Sequence, residues 1–118
     1  IPDLISNTYI NDWQENPATV TELAAQPDNS AVWLYWKPNY SDQDLKGYNV
    51  YKQFGGNYIK VNSAIITTTY YKVTGLTNGY TYSFTVRSVD SGDMELESEN
   101  STIVSSTPRA PVRAYFRN

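Results

Sequence analysis

Asp90, Asp93, Glu95, Glu97 and Glu99 crowd one stretch of the chain, its densest set of ionisable side chains. Carboxylates grouped in this way could ligate an oxygen-seeking cation such as Ca²⁺. They could equally supply the paired acid and base of glycoside hydrolysis. The spacing speaks against the first, because it lacks both the ligand pattern of the common Ca²⁺ loop and its central glycine. A solvated acidic turn is the simpler expectation. Neither His nor Cys occurs in the sequence. That removes Ser-His-Asp and Cys-His catalysis, disulfides and Cys-based metal sites, and with His goes the usual near-neutral pH switch. We therefore expect no catalytic residue, no metal and no cofactor.

The second kind of chemistry on offer is aromatic. Eleven Tyr and three Trp are present. In Ala31-Val-Trp-Leu-Tyr-Trp36, the period of a strand puts Val32, Leu34 and Trp36 on one face and Trp33 and Tyr35 on the other. Tyr40, Tyr58, Tyr70 and Tyr80 are further candidates for exposure. Such rings can stack on sugars or anchor a protein interface. They can also simply cover sheet edges or pack against the tails, Trp13 included, since Tyr is a good strand residue. Both readings stay open. Asn39-Tyr40-Ser41 and Asn100-Ser101-Thr102 fit the glycosylation sequon.

Bulk properties bound the rest. A chain of 118 residues with 40% hydrophobic residues is long enough for one core and too apolar for disorder. Net charge is −3, with no basic tract in the central region, so nucleic-acid binding lacks its electrostatic footprint. No apolar run approaches the roughly 20 residues of a membrane-spanning helix, and no membrane insertion is expected. A chain that opens on Ile1 without a recognisable signal peptide reads as a segment of a longer polypeptide.

In order, residues 1–17 carry Ile5, Tyr9 and Trp13 at a weak helical spacing between Pro2 and Pro17, which fits either a linker or a docked segment. From Ala18 the texture is β. Thr19 to Ala25 reads as a first strand closed by Pro27-Asp28-Asn29, and Ala31 to Trp36 as a second, stopped by Pro38. Leu45 to Phe54 is a third, with Tyr48 and Val50 on one face and a bulge expected near Tyr51. Gly55-Gly56-Asn57 signals a hairpin into Tyr58–Val61. Thr67 to Thr74, the long aromatic run ending at Asp90, and Ser101 to Thr107 complete about seven strands. Turn signals recur every ~8–12 residues, as in an immunoglobulin-like sandwich. Residues 109–118, with Arg109, Arg113 and Arg117, read as a C-terminal linker.

The stretch from Gly75 to Asp90 carries the most specific signal. Tyr71 stands four before Gly75, Leu76 follows, and Tyr82 comes six residues after Leu76. With Trp36, the run Leu45-x-Gly47-Tyr48-x-Val50-Tyr51-Lys52, Val86, Ser88 and Val89 on the sixth strand, and the closing Ser98, Ser101, Val104, Thr107 and Pro108, this resembles a fibronectin type III domain over residues 18–108. The version common in secreted bacterial proteins is the most similar. The resemblance implies a seven-stranded all-β sandwich, a core built on Trp36, Tyr48, Val50 and Phe84, and a tyrosine corner in which the Tyr82 hydroxyl reaches backbone in the Gly75–Asn78 turn. Ser88 departs from the family's usual Ala, and a buried hydroxyl there needs a partner. Ser91-Gly92-Asp93 occupies the loop where adhesive members present Arg-Gly-Asp, but without the arginine.

The function implied is that of a non-catalytic spacer or docking module in a secreted or cell-surface multidomain protein, such as a carbohydrate-active enzyme. Its partners would be neighbouring domains of the same polypeptide, and the module itself would be monomeric. The alternative is a recognition module that binds a glycan or a protein through its exposed aromatics.

Overall fold

A computed structural model describes residues 16–39, 44–92 and 96–111 of the chain. Trp13, Tyr40, Asp93, Glu95, Arg113 and Arg117, and the weak helical spacing near the start, lie outside the described residues. Among the described residues seven strands follow one another: β1 (Ala24–Asp28), β2 (Ala31–Tyr35), β3 (Leu45–Phe54), β4 (Asn57–Lys60), β5 (Tyr70–Val73), β6 (Tyr82–Asp90) and β7 (Val104–Ser106). They form two antiparallel sheets ordered β1-β2-β5 and β4-β3-β6-β7. This is an all-β, immunoglobulin-like sandwich. Among the described residues no helix is long and apolar enough to cross a membrane.

Alternation builds the core. Val32 and Leu34 of β2, Val50 of β3, and Phe84 and Val86 of β6 are fully buried, because every second side chain of a strand faces the opposing sheet. Trp36, one residue beyond β2, is 5% exposed and packs edge-on against Tyr48, with ring centroids 5.2 Å apart. Its indole N–H has no hydrogen-bond partner among the described residues.

Three strands differ from their sequence expectations, each for a local reason. The first strand was expected over Thr19–Ala25 with Pro27-Asp28 in the following turn. Instead β1 runs from Ala24 to Asp28 and pairs Pro27 with Val32. Pro27 is tolerated because β1 is an edge strand, where one proline interrupts no second ladder. Upstream, Glu22 has φ 57°, and the amide of Lys37 donates to the Thr21 carbonyl. Three residues from Ala24 back to Thr21 therefore oppose two from Tyr35 to Lys37, which is a bulge that splits the expected strand.

The β-branched run Thr67–Thr74 is also divided. Ile66 exchanges backbone bonds with Tyr48 on one sheet, whereas Tyr70–Val73 pairs with β2 on the other. The chain crosses between sheets at the intervening threonines. Gly47 makes this crossing feasible, since a Cβ there would collide with the Ile66 carbonyl oxygen. The bulge in β3 accordingly falls between Leu45 and Gly47 rather than at Tyr51, which pairs regularly with Thr85.

The last strand was expected over Ser101–Thr107, but only Val104–Ser106 is regular. Going from Phe84↔Val104 to the Val86–Ser101 bond, and on to the Ser88–Ser98 bond, β6 advances two residues while its partner advances three each time. At both irregular steps a serine hydroxyl replaces the displaced carbonyl. Ser101 Oγ accepts the Val86 amide and Ser98 Oγ the Ser88 amide, each at 2.9 Å. The ladder is thereby completed with side chains.

The turn from Gly75 to Tyr82 is tied from several directions. The Thr77 amide donates to the Tyr82 hydroxyl at 3.0 Å, Leu76 donates to the Ser30 carbonyl, and Gly79 donates to that of Pro108. Leu76 is buried beneath it. The Thr77 amide holds the Tyr82 phenol below its ordinary pKa by favouring the phenolate. Tyr82 and Tyr71 are half-buried against the core. Ser88 is fully buried, and its hydroxyl donates to the Ala18 carbonyl at 2.6 Å. The position that departs from the family's alanine thus anchors the N-terminal edge of the sandwich.

Candidate functional site

The outward face of the β1-β2-β5 sheet brings together Trp33, Tyr35 and Tyr70. Strand β2 alternates, so its inward Val32 and Leu34 force the two aromatics outward. Register then sets Tyr70 opposite Tyr35 and Lys72 opposite Trp33. The Trp33 and Tyr35 rings lie 6.2 Å apart and near-parallel at 16°, and Tyr70 lies 6.5 Å from Trp33 at 44°. The Trp33 indole N–H donates to Asp28 Oδ2 at 3.0 Å. Lys72 Nζ stands 3.9 Å from the same oxygen and 5.5 Å from the Trp33 ring centroid. The Asp28 carboxyl is held below its ordinary range, first by the Asn29 amide, then by Trp33 and Lys72. Trp33 is half-buried by these neighbours, while Tyr35 and Tyr70 remain 41% and 50% exposed.

Two of the other proposed surface residues, Tyr58 and Tyr80, are not part of this group. Tyr58 lies on β4 in the second sheet and is half-buried beneath the Arg87 guanidinium, 6.0 Å from its ring centroid. Tyr80 is exposed near the Thr77 turn at the end of the sandwich.

The outer face of the second sheet holds a polar network whose residues sequence reading did not single out as a group. Asn49 and Arg87 are cross-strand partners. The Glu97 carboxylate accepts from Asn49 Nδ2 at 2.7 Å, from the Tyr51 hydroxyl at 2.5 Å and from Arg87 Nη1 at 2.9 Å. Arg87 also donates through Nε to Asn100 Oδ1 at 2.6 Å, and its guanidinium lies over the Tyr51 ring at 4.1 Å. Beneath them, Asn62 accepts the Val50 amide and donates to Asn49. Burial works to raise the Glu97 pKa, but its hydrogen bonds from Tyr51, Asn49 and Arg87 outweigh that and lower it. Burial and the Glu97 carboxylate push the Tyr51 phenol up to about 12. No sequence motif joins these residues. They meet because β3, β6 and the segment before β7 are neighbours in the sheet.

Two of the five carboxylates between Asp90 and Glu99 are accounted for by local bonding. Glu97 is committed to three donors and clamps the β6–β7 connection to β3. Asp90 is buried and folds its Oδ1 back onto the amides of Gly92 and Leu96, both at 3.2 Å, as an Asp does in a turn. Among the described residues no group of three or more acidic side chains could hold a metal ion. An open groove beside Glu97 is lined by Lys46, Asn49, Lys60 and Leu96.

Comparison with known proteins agrees with this architecture. None of the curated proteins matches the sequence. A solved Fn3-like protein from Clostridium thermocellum is 27% identical with a TM-score of 0.63, over 84% of this chain and 98% of that one. A β-1,2-glucanase from Parabacteroides distasonis contains a similar fold at 23% identity and TM-score 0.61, matching 85% of this chain but 14% of the enzyme. The family 28 exopolygalacturonase of Yersinia enterocolitica contains another at 17% identity and TM-score 0.63, over 80% of this chain and 21% of that one. The family model described as "Fibronectin type III domain" matches residues 15–104. With the tyrosine corner, the two sheets and this match in agreement, the chain belongs to the fibronectin type III family.

Proposed function

We propose that this fibronectin type III module is a non-catalytic, in-line spacer and docking domain of a secreted or cell-surface multidomain protein, with carbohydrate-active enzymes as the parent class. One observation carries the reading: the chain enters the sandwich at one pole and leaves at the other. Ala18 is bonded at Ser88, near the far end of β6. Pro108 is fully buried and bonded to Gly79, and Arg109 donates to the Asp28 carbonyl, both beside the start of β6. The six residue steps of β6 from Tyr82 to Ser88 span roughly 20 Å, and the Gly79 turn before Tyr82 adds to the separation of these poles. Neighbouring domains would be held apart in line by a body whose ends are hydrogen-bonded rather than hinged.

Similar folds that make up minor parts of a glucanase and an exopolygalacturonase support the choice of parent class. The domain limits proposed are residues 18–108, flanked by a linker or docked segment over 1–17 and a linker over 109–118.

The absence of cysteine makes the test clean. Spin labels placed through Thr19→Cys and Ala110→Cys should give one narrow distance distribution centred on the order of 30 Å. A distribution as broad as that of the denatured chain, or a mean below ~20 Å, would refute the spacer geometry.

A further inference from the structure

The outward face of the β1-β2-β5 sheet has a physical character that a spacer does not require. We propose that this face binds a neutral carbohydrate chain, with the Tyr35 and Tyr70 rings as platforms and Gln26, Asp28 and Lys72 at their margin for sugar hydroxyls. The proposal goes beyond the spacer reading and does not rest on it.

Rigidity is the first argument. Trp33 is fixed by its bond to Asp28 and covered by Lys72, so it serves as the support against which Tyr35 and Tyr70 lean. The two tyrosines stay 41% and 50% exposed on short side chains with little rotamer freedom left to lose on binding. The electron-rich face of such a ring attracts the weakly positive axial C–H groups of a pyranose. Opposite Tyr35, β1 presents only Ala24, and opposite Trp33 it presents the exposed amide of Gln26. A low step with a polar border results.

Charge is the second argument. Lys72 and Asp28 lie 3.9 Å apart, and at the other end of the sheet Lys37 and Glu22 are also 3.9 Å apart. The charges bordering the rings cancel in pairs, so an anionic or cationic polymer meets no complementary field. A neutral, hydroxyl-rich ligand fits.

The exposed aromatic area suits a small ligand better than a protein partner. Full burial of a Tyr removes ~150–250 Å², so the exposed fractions of Tyr35 and Tyr70, 41% and 50%, offer roughly 140–230 Å² together. A stable protein interface needs about 800 Å² on each side. The patch is the right size for two or three sugar units.

The test is a titration of the full, ¹⁵N-labelled chain with neutral β-1,4-, β-1,3- and β-1,2-linked gluco-oligosaccharides, and with an oligogalacturonide of equal length. At least one neutral ligand should give saturable shifts of the Trp33 indole and of amides in β1, β2 and β5. Its affinity should fall at least about tenfold in Tyr35→Ala/Tyr70→Ala. Tyr35→Phe/Tyr70→Phe, which keeps the rings, should stay within about threefold of the parent and guards against a fold defect in the alanine pair. The oligogalacturonide should bind about tenfold more weakly or not at all. Absence of saturable shifts across the neutral set, shifts mapping elsewhere, or equal binding of the anionic ligand overturns the proposal. So does full affinity in the alanine pair. Shifts at this face that depend on protein concentration alone would identify a second copy of the chain as its occupant, and also overturn it. The spin-label distance is unaffected by any of these outcomes, so the two readings fail separately.

Discussion

Replacing Trp36 measures the core directly. The side chain is 95% buried by its 5% exposure and meets Tyr48 edge-on at 5.2 Å. Truncation to Ala deletes the ring and leaves a cavity between sheets, which costs about 3–5 kcal/mol. Against a total stability of ~5–15 kcal/mol, that leaves a marginal domain, with a melting temperature lowered by more than about 12 °C. Trp36→Phe should behave differently. It keeps one six-membered ring in the site and discards an indole N–H that is buried without a partner among the described residues, a burial that itself costs roughly 1–3 kcal/mol. We expect Trp36→Phe to lose less than half of what Trp36→Ala loses. Tyr82→Phe, which removes one hydrogen bond from Thr77 and no core volume, should lose less than Trp36→Ala as well. Urea titrations followed by far-UV circular dichroism, at constant slope, give all three values. Comparable losses for Trp36→Phe and Trp36→Ala would refute the idea that the indole nitrogen is a cost. A Tyr82→Phe loss equal to that of Trp36→Ala would show that the corner, and not the tryptophan, dominates stability.

Three further perturbations probe the network and the sheet crossing. Glu97 has a folded-state pKa below its ordinary 4.5, so its contribution is present above about pH 4.5 and is lost as pH falls through the folded value. Glu97→Gln should cost about 1 kcal/mol near neutrality, the figure being modest because the Arg87 pair is partly exposed, and the gap to the parent should close in acid. Tyr51 runs the other way: with its pKa raised from 10.0 to about 12, its contribution is intact below about pH 10 and disappears between there and about 12. Absorbance titration at alkaline pH should show one late-ionising phenol that is missing in Tyr51→Phe. Gly47→Ala drives a methyl group into the Ile66 carbonyl and should cost ~1–3 kcal/mol, with faster exchange of the Tyr48 amide. Unchanged protection there would mean that the crossing tolerates a side chain.

Much of the fold was legible because its signals are local. Alternation in β2 and the Gly55-Gly56 hairpin follow from chain geometry over a few residues, and the spacing of Tyr71, Gly75, Leu76 and Tyr82 was legible through its resemblance to the fibronectin type III pattern. Strand limits were less legible at Glu22, at the Thr67–Thr69 crossing and at Ser98 and Ser101. Each of those is an irregularity that only the partner strand defines. A bulge is a mismatch between two ladders, and one strand's sequence does not record it. The serines that repair the β6–β7 ladder read in isolation as ordinary polar residues.

The candidate surfaces divide in the same way. The sequence by itself determined that no His or Cys chemistry exists here and that Trp33 and Tyr35 face away from the core. Tertiary structure alone decided that Tyr70 and Lys72 join them, because register across β2 and β5 is a long-range pairing. It also separated Tyr58 and Tyr80 from that group, and turned Glu97 from a member of an acidic run into the acceptor of Asn49, Tyr51 and Arg87. The physical reason is common to all of these. Composition and period fix what a side chain is and which way its strand points it, but a site requires neighbours, and in a sandwich those come from strands far apart in sequence.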